Sequence, residues 1–365
     1  MKLVANLKLL PTSDQHTALV DTLKVSNRAC DWLSKQAWDT HTFGQFALHK
    51  LAYERCRTQF GLAAQMAVRC IAKVADAYKL DRKTRRRFKR YAAQPYDDRI
   101  FRMQSDTHLS LWTTAGRQSL AYQCGERQRA LLAFRKGEVD LMCIRGTFYI
   151  AVVCDVPDPE AIDIENVLGI DLGIVNLAVD SDGKPYSGAA VEQQRQWYAR
   201  RRQLLQAHGT RSATRRLRHL QGRQARFQQE TNHSRAKQIV QKAQRSAAGI
   251  ALEELTGIRQ RVKARRSQRA RHANWGFFQL RQFLTYKASM AGIPVFLVDS
   301  RHTSQECPRC HHIARANRKS QADFSCVQCG YAAPADYVGA LNIRARALVN
   351  VPMVAQPRQL RLALA

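Results

Sequence analysis

Two groups of side chains are typed and spaced for chemistry: four cysteines in CPRC and CVQC, and three acids, Asp171, Glu253 and Asp336. Cys307, Cys310, Cys326 and Cys329 read C-x2-C-x15-C-x2-C, a zinc-ribbon spacing. Each pair folds as a tight knuckle with both thiolates on one side of a turn, and two knuckles complete a tetrahedron. Disulfides are the competing assignment, and a redox C-x-x-C needs only one pair. Four thiolates leave a zinc ion no open position, so the expected metal is structural.

The acids pose a different question. Asp171 lies in VLGIDLGIVNLAVD (167–180), which reads as one apolar strand with the aspartate in its middle. An isolated carboxylate there costs several kcal/mol or takes up a proton. IALEEL repeats the anomaly with Glu253 at the end of a second apolar strand, and Asp336 opens a helix in PADYVGALNI. Strand aspartate, strand-end glutamate and helix-start aspartate fit an RNase H-like sheet on which three carboxylates converge. Such acids repel one another unless hard cations neutralise them, and magnesium suits an all-oxygen site. Two magnesium ions about 4 Å apart would serve both the attacking water and the leaving oxygen of a phosphodiester. Glu254 beside Glu253 leaves a one-residue ambiguity, because strand alternation sends the two to opposite faces without saying which face carries the site.

These residues sit in a strongly basic chain. Of 365 residues, 59 are Lys or Arg and 29 Asp or Glu, a net charge of +30. That surplus opposes compaction unless a polyanion neutralises it, and its spread along the chain favours nucleic acid over a membrane surface. Hydrophobic content of 45% suits a globular protein of two or three domains. No apolar run reaches the ~18 residues of a membrane span, and the N-terminus lacks a signal-peptide core. A cytoplasmic protein with reduced cysteines is expected, with Cys30, Cys56, Cys70, Cys124, Cys143 and Cys154 as small core residues.

The elements that position the acids can be read in outline. A strand over 2–10 precedes helices from about 14 to 80, with Thr12 or Ser13 as cap. DRKTRRRFKRYAAQPYDDR then interleaves Phe88, Tyr91 and Tyr96 with basic residues, a pattern for phosphate contact and base stacking. Short strands are expected over 107–154, including a hairpin at Arg145-Gly146-Thr147, and the acidic PDPEAIDIEN marks a domain boundary. Residues 191–245 read as a helical pair with 14 Lys/Arg, 12 of them arginine, against Glu192 and Glu230. Arginine forks match phosphate oxygens. Further expected elements are a strand at 247–255, a loose basic stretch at 258–272, a helix closed by Gly292, the strand IPVFLVDS and a last helix from Asp336.

GIDLGIVNLAV, IALEEL, TSQECPRC…CVQCGY and ADYVGALNI resemble the RuvC-type motifs and zinc ribbon of the TnpB (OrfB) family, transposon-encoded nucleases related to type V CRISPR effectors. TNHSRAKQIVQKA, WGFFQLRQFLTYKA and LLPTSDQ are similar as well; the strong resemblance covers roughly 165–345. It implies an α/β RuvC-like nuclease domain at 165–365, containing a basic helical insert (191–245) and a zinc ribbon (302–332). It also implies a wedge-like β-barrel domain from 1–15 and 81–158 that carries a helical recognition insert, 16–80. The implied activity is RNA-guided DNA cleavage, with guide RNA from the transposon end and double-stranded target DNA as partners. Asp171, Glu253 (favoured over Glu254 by the family pattern alone) and Asp336 would be catalytic and hold magnesium, and the four cysteines would hold zinc. A guide-dependent DNA-binding regulator should lack one of the acids, and a transposase reading DNA directly should carry a separate specificity module. Two positions depart from the family pattern: Val338 stands where Asn is frequent, and His311 where Gly commonly follows the first knuckle.

Overall fold

A computed structural model describes residues 1–173, 175–254 and 276–350. The basic stretch at 258–272, and Asn274 and Trp275 of the following helix pattern, lie outside the described residues. The chain divides into two compact units, Met1–Pro157 and Asp158–Ala365. Among the described residues, no helix is long and apolar enough to cross a membrane.

The first unit is a seven-stranded antiparallel sheet with a helical insertion. Its strands are β1 (Lys2–Leu9), β2 (Gln94–Tyr96), β3 (Phe101–Met103), β4 (His108–Thr113), β5 (Gly116–Gln123), β6 (Arg135–Ile144) and β7 (Thr147–Asp155). They are ordered β2-β6-β7-β1-β5-β4-β3. The two edge strands are thus consecutive in sequence, and only residues 97–100 join them. So short a link forces the edges together, and the sheet curls almost shut, which protects edges that would otherwise pair with other chains. The β6–β7 hairpin turns at Arg145 and Gly146, both at positive φ (55° and 81°), as a two-residue turn matching strand twist requires.

The insertion comprises α1 (Ser13–Asp39), α2 (Gln45–Phe60) and α3 (Ala64–Leu80). Thr12 caps α1 in a reciprocal capping box with Gln15. Leu19, Leu23, Cys30, Leu33 and Ala37 fall on one helical face and are all fully buried. Cys30, Cys56, Cys70 and Cys154 are core residues, while Cys124 and Cys143 are half-buried against that core. One expectation fails here: α4 (Glu126–Leu132) forms within the region read as strands. It is a short helix with no buried side chain, so no apolar periodicity announces it.

The second unit holds a five-stranded sheet ordered β10-β9-β8-β11-β12. Its strands are β8 (Asn166–Asp171), β9 (Asn176–Asp180), β10 (Pro185–Ser187), β11 (Ala248–Glu254) and β12 (Val295–Asp299). β8, β9 and β10 run antiparallel in turn, whereas β11 is parallel to both β8 and β12. The helices are α5 (Ala189–Ala207), α6 (Arg211–Arg245), α7 (Phe277–Met290) and α8 (Ala335–Asn350). One core joins Leu168, Ile170, Ile250 and Leu252 to α6 and α7, and a second joins Val167, Ala251 and Val298 to Ile343 and Ala347 of α8. The sheet is therefore covered on both faces, as its near-continuous apolar strands require.

Residues 167–180 are not one strand. β8 ends at Asp171, and the chain turns through Gly173 into β9, pairing Ile170 with Asp180. Asp171 therefore ends its strand and does not interrupt it. Backbone crowding explains the glycine at 169: a Cβ there would lie 2.2 Å from the Ala340 carbonyl oxygen and 2.7 Å from the Arg344 nitrogen. Only a bare backbone lets α8 approach β8 this closely. Replacing Gly169 with Ala is expected to cost about 1–3 kcal/mol or more, read by thermal unfolding. Gly44→Ser, at an uncrowded helix N-cap, is the control and should leave stability unchanged or improved.

Candidate active site

The parallel strands β8, β11 and β12 all finish at one end of the sheet, carrying Asp171, Glu253 with Glu254, and Asp299 to that edge. In open α/β sheets, the carboxyl ends of the strands are where ligands bind. The first turn of α8 brings Asp336 to the same place. The junction is tight, since a Cβ on Gly339 would lie 2.9 Å from Asp171 Oδ2, and one on Gly173 would lie 3.5 Å from Asp336 Oδ2. Gly339 thus leaves the space that the Asp171 carboxylate fills.

Asp171, Glu253 and Asp336 are half-buried, so the cluster opens to solvent. Desolvation, then the charges of Glu253 and Asp336, push the Asp171 pKa up to about 8, against the opposing pull of Arg318 and the Leu172 N–H. Glu253 is also raised, chiefly by desolvation, although the Thr303 hydroxyl, Arg346 and Arg318 favour its charged form. The charges of both other acids therefore reach Asp171. Among the described residues, only the four cysteines place their ligand atoms all within 4.8 Å of one another, so the acid cluster is the more open of the two.

Neighbours hold the acids in place. Thr303 donates to Glu253 Oε1, and Asn176 Nδ2 donates to Asp336 Oδ2 at 3.3 Å. Buried Asn342 on α8 donates to the carbonyls of Thr303 and Glu306, both at 2.8 Å. Arg346, one turn on, reaches the carbonyls of Asp299 (2.7 Å) and Arg301 (2.6 Å) and Glu306 Oε2 (2.8 Å). Thr303, Asn176, Arg318, Asn342 and Arg346 are polar residues of common type scattered over about 170 positions, and sequence reasoning missed them for that reason. The ambiguity at 253–254 resolves geometrically: Glu254 turns to the other face and takes a two-point ion pair from Arg281, at 2.8 Å each.

The cysteine module lies between β12 and α8, built on the β13 (Asp323–Ser325) and β14 (Ala332–Pro334) pair. Cys307 Sγ is 3.6 Å from Cys329 Sγ, and Cys310 Sγ is 3.5 Å from Cys326 Sγ. These approach the edge of about 3.8 Å expected for a thiolate tetrahedron with bonds of about 2.3 Å. At Cys326, desolvation pushes the pKa up, but the backbone N–H groups of Cys329 and Gln328 and the neighbouring thiols together outweigh it and bring the pKa down to about 6. Val338 points into this module, fully buried with Cys307, Phe324 and Cys326. His311 sits in the left-handed region (φ 57°), as does Gly330 after the second knuckle (φ 72°), which is why glycine suits that position.

Known proteins share these segments. Residues 151–256 match the OrfB_IS605 family, described as a probable transposase, and residues 277–343 match the Cas12f1-like TNB domain. The CRISPR-associated endodeoxyribonuclease Cas12f1 of Sulfoacidibacillus thermotolerans is 35% identical over 204 residues, covering 51% of this chain and 47% of its own length. The putative RNA-guided DNA endonuclease InsQ of Escherichia coli K12 is 29% identical over 199 residues, 49% of this chain and 48% of its own length. The chain thus spans about half the length of the curated relatives it matches. In fold it is similar to a Cas12f1–sgRNA–target DNA complex (TM-score 0.63, 16% identity, covering 90% of this chain and 83% of that one). It is also similar to the mini-RNA-guided endonuclease CRISPR-Cas_phi3 (TM-score 0.59, 10% identity, 98% and 94%). The likeness read from the motifs is borne out: the chain is similar to the OrfB/TnpB and Cas12f proteins by sequence over its second half, and to Cas12f1 in fold over most of its length.

Proposed function

We propose that the protein is an RNA-guided DNA endonuclease whose second unit is an RNase H-like, RuvC-type nuclease domain. The observation that carries this is Asp171, held at a strand end between two other acids at the mouth of the sheet. Strand order supports the fold assignment: counted along the unit, β10-β9-β8-β11-β12 runs 3-2-1-4-5, with only the second strand antiparallel to its neighbours. The relatives named as RNA-guided DNA endonuclease and endodeoxyribonuclease support the activity. The surplus of +30 suits guide RNA and double-stranded target DNA as partners. In the first unit, 1–15 with 81–158 would be a wedge-like domain and 16–80 its recognition insert; in the second, 191–245 would be a basic insert and 302–332 a zinc ribbon.

The donor set fits the metals. Three half-buried carboxylates, one with its pKa near 8, are the environment a hard divalent cation neutralises. Magnesium held by Asp171, Glu253 and Asp336 would supply an activated water and offset phosphate charge. Without such cations the trio would repel a phosphodiester. Thr303 and Asn176 orient Glu253 and Asp336 through neutral donors, which leaves the carboxylates their charge. Zinc on Cys307, Cys310, Cys326 and Cys329 would fix the module that precedes α8 and so register Asp336.

The protein expressed with its native flanking DNA should copurify with a discrete structured RNA ending in guide sequence, read by RNA sequencing. Asp171→Ala should keep DNA binding and lose magnesium-dependent cleavage by more than about a hundred-fold; full activity of that variant, or cutting without a divalent ion, overturns the site. In metal-free protein, Asp171→Asn should raise the melting temperature. The folded state binds more protons than the unfolded one between the ordinary aspartate value and about 8, so wild-type stability falls as pH rises through that window. The advantage of the variant should grow over the same range and level off above it. Elemental analysis should find about one zinc per chain, and Cys326→Ser should lose it together with thermal stability.

A further inference from the structure

The first unit carries a basic segment that no carboxylate chemistry uses. Residues 82–92, RKTRRRFKRYA, leave α3 and run along α1. Three side chains of α1, spaced three and four residues apart on one face, grip its backbone. Ser34 Oγ donates to the Arg86 carbonyl (2.6 Å), Asp31 Oδ1 accepts from the Phe88 N–H (2.7 Å), and Asn27 Nδ2 donates to the carbonyls of Ala92 (2.9 Å) and Arg90 (3.4 Å). Asn27 is itself buried and accepts from Lys73 Nζ at 2.8 Å. With its backbone pinned this way, the segment alternates: Arg86 and Phe88 turn inward, while Arg85, Arg87 and Lys89 are exposed. Period-two exposure means an extended chain, with outward cations about 6.6 Å apart. That is close to the repeat of phosphates along a nucleic-acid strand, and the backbone that carries these cations is fixed before any ligand arrives.

A cavity of about 330 Å³ opens where this segment meets α1, lined by Lys24, Asn27, Arg28, Asp31, Phe88 and Arg90. One side of the Phe88 ring is held by the Lys73 ammonium, 5.3 Å from its centroid. Arg28 and Arg90 are exposed and have no carboxylate within ion-pair distance among the described residues, whereas Lys24 pairs with Asp21 at 3.0 Å. Asp31, the one acid lining the cavity, is engaged by the Phe88 N–H. An aromatic wall fixed by hydrogen bonds and cation contact, with guanidinium groups free of carboxylate partners at the rim (that of Arg90 lies 5.6 Å from the Tyr91 ring centroid), is a stacking platform with phosphate clamps. A duplex keeps its bases stacked inside and cannot use the aromatic wall.

We propose that this cavity seats one unpaired nucleotide of a nucleic-acid single strand, its base against Phe88 and its flanking phosphates on Lys24, Arg28 and Arg90. The proposal rests on the reading of the protein as nucleic-acid-binding, but not on its cleaving DNA. It is tested on the full chain in buffer without divalent ions, where an inactive carboxylate site leaves the readout untouched. The probes are short fluorescein-labelled oligocytidine RNA, oligodeoxycytidine DNA and a DNA duplex of the same length. Phe88→Leu should weaken single-strand binding roughly ten-fold and leave the duplex unchanged. The double variant Arg28→Ala/Arg90→Ala, at two exposed positions, should melt like the wild type. It should also flatten the dependence of log affinity on log salt for single strands by about 1.4. Loss confined to RNA assigns the seat to a guide strand, and loss confined to DNA assigns it to an unwound DNA strand. On the wild-type protein, photo-crosslinking with a 5-iodopyrimidine oligonucleotide should give an adduct at Phe88. Single-strand affinity untouched by both variants, duplex affinity falling in parallel, or adducts only at other residues would each overturn the proposal.

Discussion

Like charges gathered in a partly desolvated corner dominate the second unit. Asp171 faces Glu253 and Asp336 across the end of the sheet, and burial together with their charges drives its pKa to about 8. Asp180, nine residues on, shows what the chain does with a carboxylate it intends to satisfy. That side chain is fully buried, takes a 2.7 Å ion pair from Lys242 and a 3.2 Å bond from Tyr186, and accepts from the N–H groups of Asp182 and Lys184. Asp171 receives no such cage. Its neighbours are acids, and the cations Arg318 and Arg346 act at the edge of the cluster. A structural carboxylate is ringed by donors; Asp171 lacks that ring, and the proposed cation site rests on this contrast.

Holding that corner together depends on how closely α8 lies against β8. Gly169 lets the helix backbone approach, Gly339 makes room for the Asp171 carboxylate, and Gly173 does the same beside Asp336. The cysteine module is tied to this junction. Val338, two residues after Asp336, is buried in the module, while Asn342 and Arg346 of the same helix bind the carbonyls that follow β12. Anything that loosens the module therefore loosens α8, and with it the position of Asp336. Val338 is an apolar plug in the module core, two residues after the acid on the same helix.

The first unit relies on a different economy. Its sheet nearly closes because β2 and β3, at opposite edges, are joined by four residues. Its basic segment gains order from side chains of α1, with no ladder of its own. Ordering the backbone that carries the cations removes part of the entropic cost of binding a polyanion, which is consistent with a chain of net charge +30.

Much of this was legible in the amino-acid sequence, because local physics writes it there. Knuckle spacing places the four thiols, apolar runs mark β8, β11 and β12, a cap at Thr12 or Ser13 starts α1, and alternation separates Glu253 from Glu254. Asp171 was misread as interrupting a strand, since hydrophobicity continues across the β8–β9 turn and gives no break. The short helix α4 buries nothing and so leaves no periodic signal. Tertiary structure alone decided which distant residues meet: Thr303 with Glu253, Asn176 with Asp336, Arg318 near Asp171, and Asn27, Asp31 and Ser34 along the basic segment. Sequence determines residue chemistry and local periodicity. Proximity between residues separated by tens to hundreds of positions depends on how sheets and helices pack, and no local pattern encodes it.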